Sequence, residues 1–300
     1  MYFCCDKKLN NNFIYYMVKT VSGFLKIVFF LFFLIFLLVP GSGNSQVTQE
    51  WVARYNPLGA DTNYYTVGCK TDAAGNVYVA GYSQITGNDD ILLLKYNTAG
   101  VQQWKIKYNG PGNGHDRALA ITIDNAGYIY ITGYSYTNST NNNDCITLKY
   151  NPSGALLWEA KYDYMALADR GNNITVDNSG NVFITGSGRR ISTFLTDFDY
   201  ITLKYNSGGT LQWASSYNSP DSSYDDATEI ALDNTGNIYV SGVTRLGNNL
   251  RTVNILTIKY NSSGAQQWTA LYNGPSDSSD RVWGISVDNS GNVYVGGDSR

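Results

Sequence analysis

Aspartates recur in three columns of this sequence, and each column offers a different chemistry. Asp116, Asp169, Asp225 and Asp280 form the first, and Asp90, Asp144 and Asp199 form the second, with Asn254 at its fourth position. Carboxylates gathered at one place can hold Ca²⁺ or another polar ligand. Carboxylates repeated at a fixed spacing more readily serve the fold, because a group needed in every unit is a structural group, whereas a ligand site breaks the symmetry. Three members of the first column continue as Asp-Arg, with Arg117, Arg170 and Arg281. The periodicity therefore favours capping and Asp–Arg pairing between units. No metal site is assigned, and these seven carboxylates are the candidates for holding a cation such as Ca²⁺. The third column, Asp72, Asp124, Asp177, Asp233 and Asp288, lies in Asp-x-x-Gly phrases that read as turns, and none completes an EF-hand loop.

Catalytic groupings are missing from the sequence. The single histidine, His115, stands in the loop YNGPGNGHDRA. No His/Cys cluster has zinc spacing, and there is no nucleophile elbow or phosphate-binding glycine loop. No catalytic residue is assigned, and a non-catalytic protein is expected. The clearest asymmetry lies in two loops, GSGRRISTFLTDFD (186–199) and GVTRLGNNLRTVN (242–254). They supply Arg189, Arg190, Phe194, Phe198, Arg245 and Arg251 as candidate ligand-binding residues. Arginine with aromatics on an otherwise acidic chain suits an acidic glycan or a carboxylate.

The elements that must position these residues follow from a repeat. DAAGNVYVAG at 72 returns as DNAGYIYITG at 124, DNSGNVFITG at 177, DNTGNIYVSG at 233 and DNSGNVYVGG at 288. A second phrase, LLKYNTAGVQQW at 93, returns as TLKYNPSGALLW, TLKYNSGGTLQW and TIKYNSSGAQQW. The Asp positions step by 52, 53, 56 and 55 residues, which predicts a solenoid, a propeller or an array. Each period divides into four short strands. Asx-x-x-Gly turns join strand one to two and strand three to four, the glycine taking the positive φ of a bulged hairpin. Four antiparallel strands in about 50 residues is a propeller blade. The expected fold is all-β, a β-propeller of about five four-stranded blades with the last incomplete. A strand at 48–55, four full units and two final strands make that count. The missing strands point to a fragment of a larger propeller, with an exposed sheet edge. Gly81, Gly133, Gly186, Gly242 and Gly297 end the second strand, where close backbone approach is expected. Cys69 and Cys145 fall in columns otherwise filled mainly by isoleucine, so both are expected to behave as buried thiols.

These phrases resemble the bacterial secreted β-propeller repeat family, SBBP, over residues 48–300. The resemblance implies the propeller fold and leaves activity open. The G-x-x-x-W element, Gly154 to Trp158, is also similar to the tryptophan-docking motif of quinoprotein dehydrogenase propellers, over a few residues per blade.

Residues 1–45 differ from the rest. Thirteen unbroken apolar residues, Ile27 to Val39, follow Lys7, Lys8, Lys19 and Lys26 and precede PGSGNSQ. This predicts a secretory signal cleaved after Ser45, with an uncleaved single-pass anchor as the alternative. Residues 46–300 then form the propeller, with 17 basic and 23 acidic residues, net −6. That charge argues against nucleic acid as partner, and membrane contact is expected only through the N-terminal segment. The expected function is a secreted or cell-surface scaffold that binds protein or polysaccharide. The alternatives are a carbohydrate-active or quinoprotein-like enzyme working at the channel mouth, and a membrane-tethered adaptor.

Overall fold

The computed structural model describes residues 50–55, 63–85, 88–136, 142–190, 197–220, 224–245 and 252–299. The N-terminal segment 1–45, Phe194 and Arg251 lie outside the described residues. Within those described the protein is all-β, and no helix is long and apolar enough to cross a membrane.

Eighteen strands form five sheets. The first blade holds β1 (Asn63–Thr71), β2 (Val77–Ile85), β3 (Asn88–Tyr96) and β4 (Gln102–Tyr108). The second holds β5 (Asp116–Ile123), β6 (Ile129–Tyr136), β7 (Asn143–Tyr150) and β8 (Leu156–Tyr162). The third holds β9 (Asp169–Val176), β10 (Val182–Arg189), β11 (Phe198–Tyr205) and β12 (Leu211–Tyr217). The fourth holds β13 (Asp225–Leu232), β14 (Ile238–Thr244), β15 (Asn254–Tyr260) and β16 (Gln266–Tyr272). The fifth sheet has two strands, β17 (Asp280–Val287) and β18 (Val293–Ser299). Every blade is an antiparallel meander, and the inner strands β1, β5, β9, β13 and β17 neighbour one another in that order.

The recurring turns do what their residues require. In each Asp-x-x-Gly turn the Asp Oδ1 accepts from two backbone amides, as Asp233 does from Thr235 and Asn237 at 2.9 Å each. Asp233 Oδ2 accepts from the hydroxyl of Tyr239, which is itself fully buried. Burial acts to raise the Asp233 carboxyl, but the Asn237, Thr235 and Tyr239 hydrogen bonds outweigh it and hold the group well below the usual carboxylate range. Gly236 closes the turn at φ 83°.

Blades are joined through the second phrase. Lys149 and Trp158 of the second blade both donate to the Ser207 carbonyl of the third, each at 3.1 Å. Lys204 and Trp213 of the third blade repeat this on Ser262 O of the fourth, at 3.4 and 3.2 Å. The indole lies flat on the next blade's turn glycine. A Cβ added at Gly264 would sit 2.6 Å from the Trp213 ring. Above these staples, Tyr78, Tyr130, Tyr200 and Tyr239 are fully buried between sheets. Each contributes about 2–3 kcal/mol by burial.

Three expectations are corrected. Residues 50–55 are not a strand, because nothing among the described residues pairs with them. Trp51 nevertheless takes the staple position, stacked on Tyr96 at 6.2 Å and against Gly100. The strand count is therefore eighteen rather than nineteen. Cys145 is a buried free thiol, its pKa pushed up to about 12 by burial, but Cys69 is only half-buried. At the other end of the arc, Trp268, Leu271 and Tyr272 on β16 are exposed, as are Tyr294 and Val295 on β18.

If the Trp–Gly staple carries the seams, Trp213→Ala should destabilise the chain by about 3 kcal/mol in denaturant unfolding. Trp268→Ala, on the uncovered side of the fourth blade, should cost less than about 1 kcal/mol. Equal losses at the two positions would contradict the staple.

Candidate functional site

The glycines that end the second strands give the channel its wall. A Cβ at Gly186 would meet Arg170 O at 1.9 Å, and the same column shows 1.9–2.1 Å at Gly81, Gly133, Gly242 and Gly297. Opposite each glycine the inner strand carries a β-bulge. The residue left without a ladder partner is Val67 in the first blade, Leu119 in the second, Asn172 in the third, Thr228 in the fourth and Trp283 in the fifth. A bulge bends its strand and re-aims a side chain. Here four of the five bulge residues line one cavity of about 540 Å³ between the inner strands.

This cavity is asymmetric. Val67, Leu119, Ala120 and Ile121 form an apolar side on β1 and β5. Arg170, Asn172, Asn173, Asp226, Thr228 and Glu229 form a polar side on β9 and β13. Arg170 pairs with Asp226 at 2.8 Å, and Asn172 Nδ2 donates to Asp226 Oδ1 at 2.7 Å. Asn173 Nδ2 donates to Glu229 at 3.2 Å. Burial raises the Glu229 carboxyl above its ordinary value. Thr228 Oγ1 is buried and has no hydrogen-bond partner among the described residues. On the fifth blade Trp283 is exposed, with Nε1 donating to Asp298 at 2.7 Å.

Sequence reasoning missed this wall. Leu119, Ile121 and Ile123 alternate as though they shared one face. The bulge between Ala118 and Ala120 breaks that alternation, and Leu119, Ala120 and Ile121 all border the cavity, Ile121 while also buried in the inter-blade core. The signal was present as Val, Leu, Asn, Thr and Trp in one column, followed by a second varied column of Gly68, Ala120, Asn173, Glu229 and Gly284.

The six loop residues are only partly brought together. Arg190 is tied down by Asp197 at 3.2 Å and Asp199 at 3.1 Å. The backbone amide of Arg189 donates to Ala168 O, and its side chain is half-buried. Phe198 stands edge-on to Tyr224, and Arg245 lies over the Tyr224 ring at 5.3 Å. Arg170 lies over Phe198 at 6.0 Å, so this cluster adjoins the polar cavity wall. His115 is a packing residue, bonded to the fully buried Asp89 at 3.0 Å and edge-on to Tyr136. Arg117 donates to the same Asp89 at 2.6 Å, which joins the second blade to the first.

The two aspartate columns meet at the seams. Asp116, Asp169, Asp225 and Asp280 are all buried, and each accepts the amide of Gly110, Tyr164, Ser219 or Gly274 from the incoming inter-blade loop. Asp90 has Lys107 at 3.7 Å, and Asp199 accepts from the Tyr164 hydroxyl at 2.6 Å. Three of the four first-column members face a hydroxyl residue across the ladder: Asp116 faces Ser135, Asp225 faces Thr244 and Asp280 faces Ser299. Asp169 faces Gly188. At that seam Asp144, Asp163 and Asp169 each bring a carboxylate oxygen within 4.8 Å of the others.

Burial first, and then the charges of Asp163 and Asp144, push the Asp169 pKa up to about 8. A carboxyl raised on folding contributes its stability below the unfolded value of about 3.9 and loses it as pH rises toward the folded value. In chelator, the chain should lose stability between about pH 4 and pH 8. Asp169→Asn should flatten that decline in urea unfolding measured across the range. An unchanged slope would show that the decline arises elsewhere.

No curated protein matches the chain in sequence. Among solved structures, an α-L-arabinanase of Penicillium chrysogenum in complex with arabinobiose matches at 10% identity and TM-score 0.48, over 77% of this chain and 74% of that one. A gluconolactonase of Xanthomonas campestris matches at 12% and 0.44, over 77% and 69%. A Bacteroides caccae protein of unknown function matches at 10% and 0.40, over 74% and 86%. A family model matches residues 166–188, the first two strands of the third blade with their Asp-x-x-Gly turn: the chain carries the beta-propeller repeat called SBBP.

Proposed function

We propose that the chain is a secreted or cell-surface propeller that binds a polysaccharide chain at the mouth of its central cavity. The observation that carries this is the two-sided wall. A sugar ring has an apolar face of C–H groups and an edge of hydroxyls. Val67, Leu119 and Ala120 suit the face, while Asn172, Thr228 and Glu229 suit the edge. Thr228 lines the cavity, and its hydroxyl has no hydrogen-bond partner among the described residues. The exposed indole of Trp283 occupies the fifth bulge position and offers a stacking surface. The Arg245–Tyr224–Phe198 cluster beside Arg170 extends the surface toward acidic sugars. Protein partners remain the alternative occupant, and nucleic acid is disfavoured by the net −6 of residues 46–300.

One observation favours a second reading, that of a carbohydrate-active enzyme. A carboxyl held protonated toward neutral pH is what a general acid needs, and burial moves Glu229 in that direction. Release of reducing ends from a bound oligosaccharide would support it.

On a panel of neutral and acidic oligosaccharides, Thr228→Val and Glu229→Gln should each weaken binding about tenfold by titration calorimetry. Their unfolding midpoints should stay within about 2 °C of the parent. Unchanged affinity in both variants would remove the cavity as the binding site. Export predicts a mature N-terminus after Ser45, readable by N-terminal sequencing; retention of residues 27–39 would give the anchored form instead.

A further inference from the structure

We propose that Asp144, Asp163 and Asp169 form a divalent-cation site, suited to Ca²⁺, at the seam between the second and third blades. Their three carboxylate oxygens lie within 4.8 Å of one another. Oxygens on a common Ca²⁺ at about 2.4 Å stand up to about 4.8 Å apart, so one cation can reach all three. Asp144 and Asp169 are buried and Asp163 is exposed, so the site has protein on its inner side and water on its outer side. Ca²⁺ takes six to eight oxygen ligands and completes its shell with water.

An acidic cluster alone would not carry this inference. Three departures from the repeat fall at this one place; Asp116 Oδ1 and Asp280 Oδ1 are also buried without a hydrogen-bond partner, but among the described residues only Asp169 has two further carboxylates within 4.8 Å. The column of residues after the last strand of each blade reads Asn109, Asp163, Asn218 and Asn273. Asn109 and Asn273 close their own loops, donating to Asn113 and Asp277 at 2.7 Å each. Only the second blade places a carboxylate there. Its loop, Asp163–Ala168, is one residue shorter than the other three, which draws Asp163 in over the seam. The hydroxyl found at Ser135, Thr244 and Ser299 is absent at Gly188. In the fourth blade that hydroxyl donates to the buried aspartate, Thr244 to Asp225 Oδ1. At Asp169, one oxygen accepts the Tyr164 amide, and the other, Oδ1, is buried without a hydrogen-bond partner in a residue only 1% exposed. The nearby Arg189 amide already donates to Ala168 O. A buried carboxylate oxygen left bare is costly, and adding a third carboxylate beside it increases the cost unless a cation is present. The neighbouring seams show the opposite choice, with Lys107 beside Asp90 and Arg190 beside Asp199.

The site lies apart from the cavity wall, so its test is independent of saccharide binding. Equilibrium dialysis of the full chain with ⁴⁵Ca²⁺ should show one saturable site, and millimolar Ca²⁺ should raise the unfolding midpoint by roughly 5 °C over chelator. Equal Mg²⁺ should raise it less. Asp163→Asn restores the residue of the other blades. It should abolish both the binding and the Ca²⁺-dependent shift while raising the midpoint in chelator, which also shows that the variant folds. Absence of saturable binding in the parent, undiminished binding in Asp163→Asn, or a preference for Mg²⁺ would each overturn the Ca²⁺ assignment.

Discussion

A glycine pressed against a carbonyl organises this molecule. Where the second strand of each blade ends, there is no room for a Cβ, because the backbone of the inner strand stands about 2 Å from where it would be. The close approach accompanies a bulge, and the bulge leaves one inner residue free of ladder pairing. That residue is released from the ladder and varies in chemistry from blade to blade, although Asn172 still bonds Asp226 and Ala227 of the next blade and Val67 packs on the core. Val67, Leu119, Asn172, Thr228 and Trp283 are the outcome, five unlike side chains on five nearly identical frames.

The seams bear the opposite constraint. A staple in which one lysine and one tryptophan share a carbonyl of the next blade requires three partners in register across 49 to 58 residues of chain. Changing any one leaves a buried donor or a bare glycine. The KYNxxGxxxW phrase varies little from blade to blade for that reason. The tyrosine hydroxyls that reach the turn aspartates tie the seam to the hairpin, so local turn chemistry and inter-blade packing reinforce each other.

What the sequence disclosed follows from this division. The hairpins were legible because Asp-x-x-Gly and Asn-x-x-Gly turns are local, and the period was legible because seams must repeat. The glycine column was read correctly as a place of close approach, but the bulge opposite it was invisible, since a bulge breaks the alternation by which strands are recognised. Leu119 was placed with Ile121 for that reason, and the cavity wall was missed with it. The 50–55 segment shows the converse. Trp51 keeps the staple on Gly100, so the phrase was recognised, yet strand pairing needs a neighbour that side-chain chemistry cannot supply. Arg190 was read as a candidate ligand-binding residue because charge is visible in sequence, whereas Asp197 and Asp199 become its partners only through the fold.

Periodic carboxylates were discounted as a class, and the same argument singles out one of them. Repetition identifies Asp116, Asp225 and Asp280 as fold residues because each meets an incoming amide and faces a hydroxyl residue. Asp169 keeps the amide and loses the hydroxyl to Gly188. A single loss of that kind would be drift. Three changes fall at one seam, Gly188, Asp163 and the shortened loop, and Asp163 adds a third carboxylate within 4.8 Å of the other two. Drift in a repeat protein scatters across units, while changes that converge on one seam have a common physical cause. A cation held by the three carboxylates would answer these changes together.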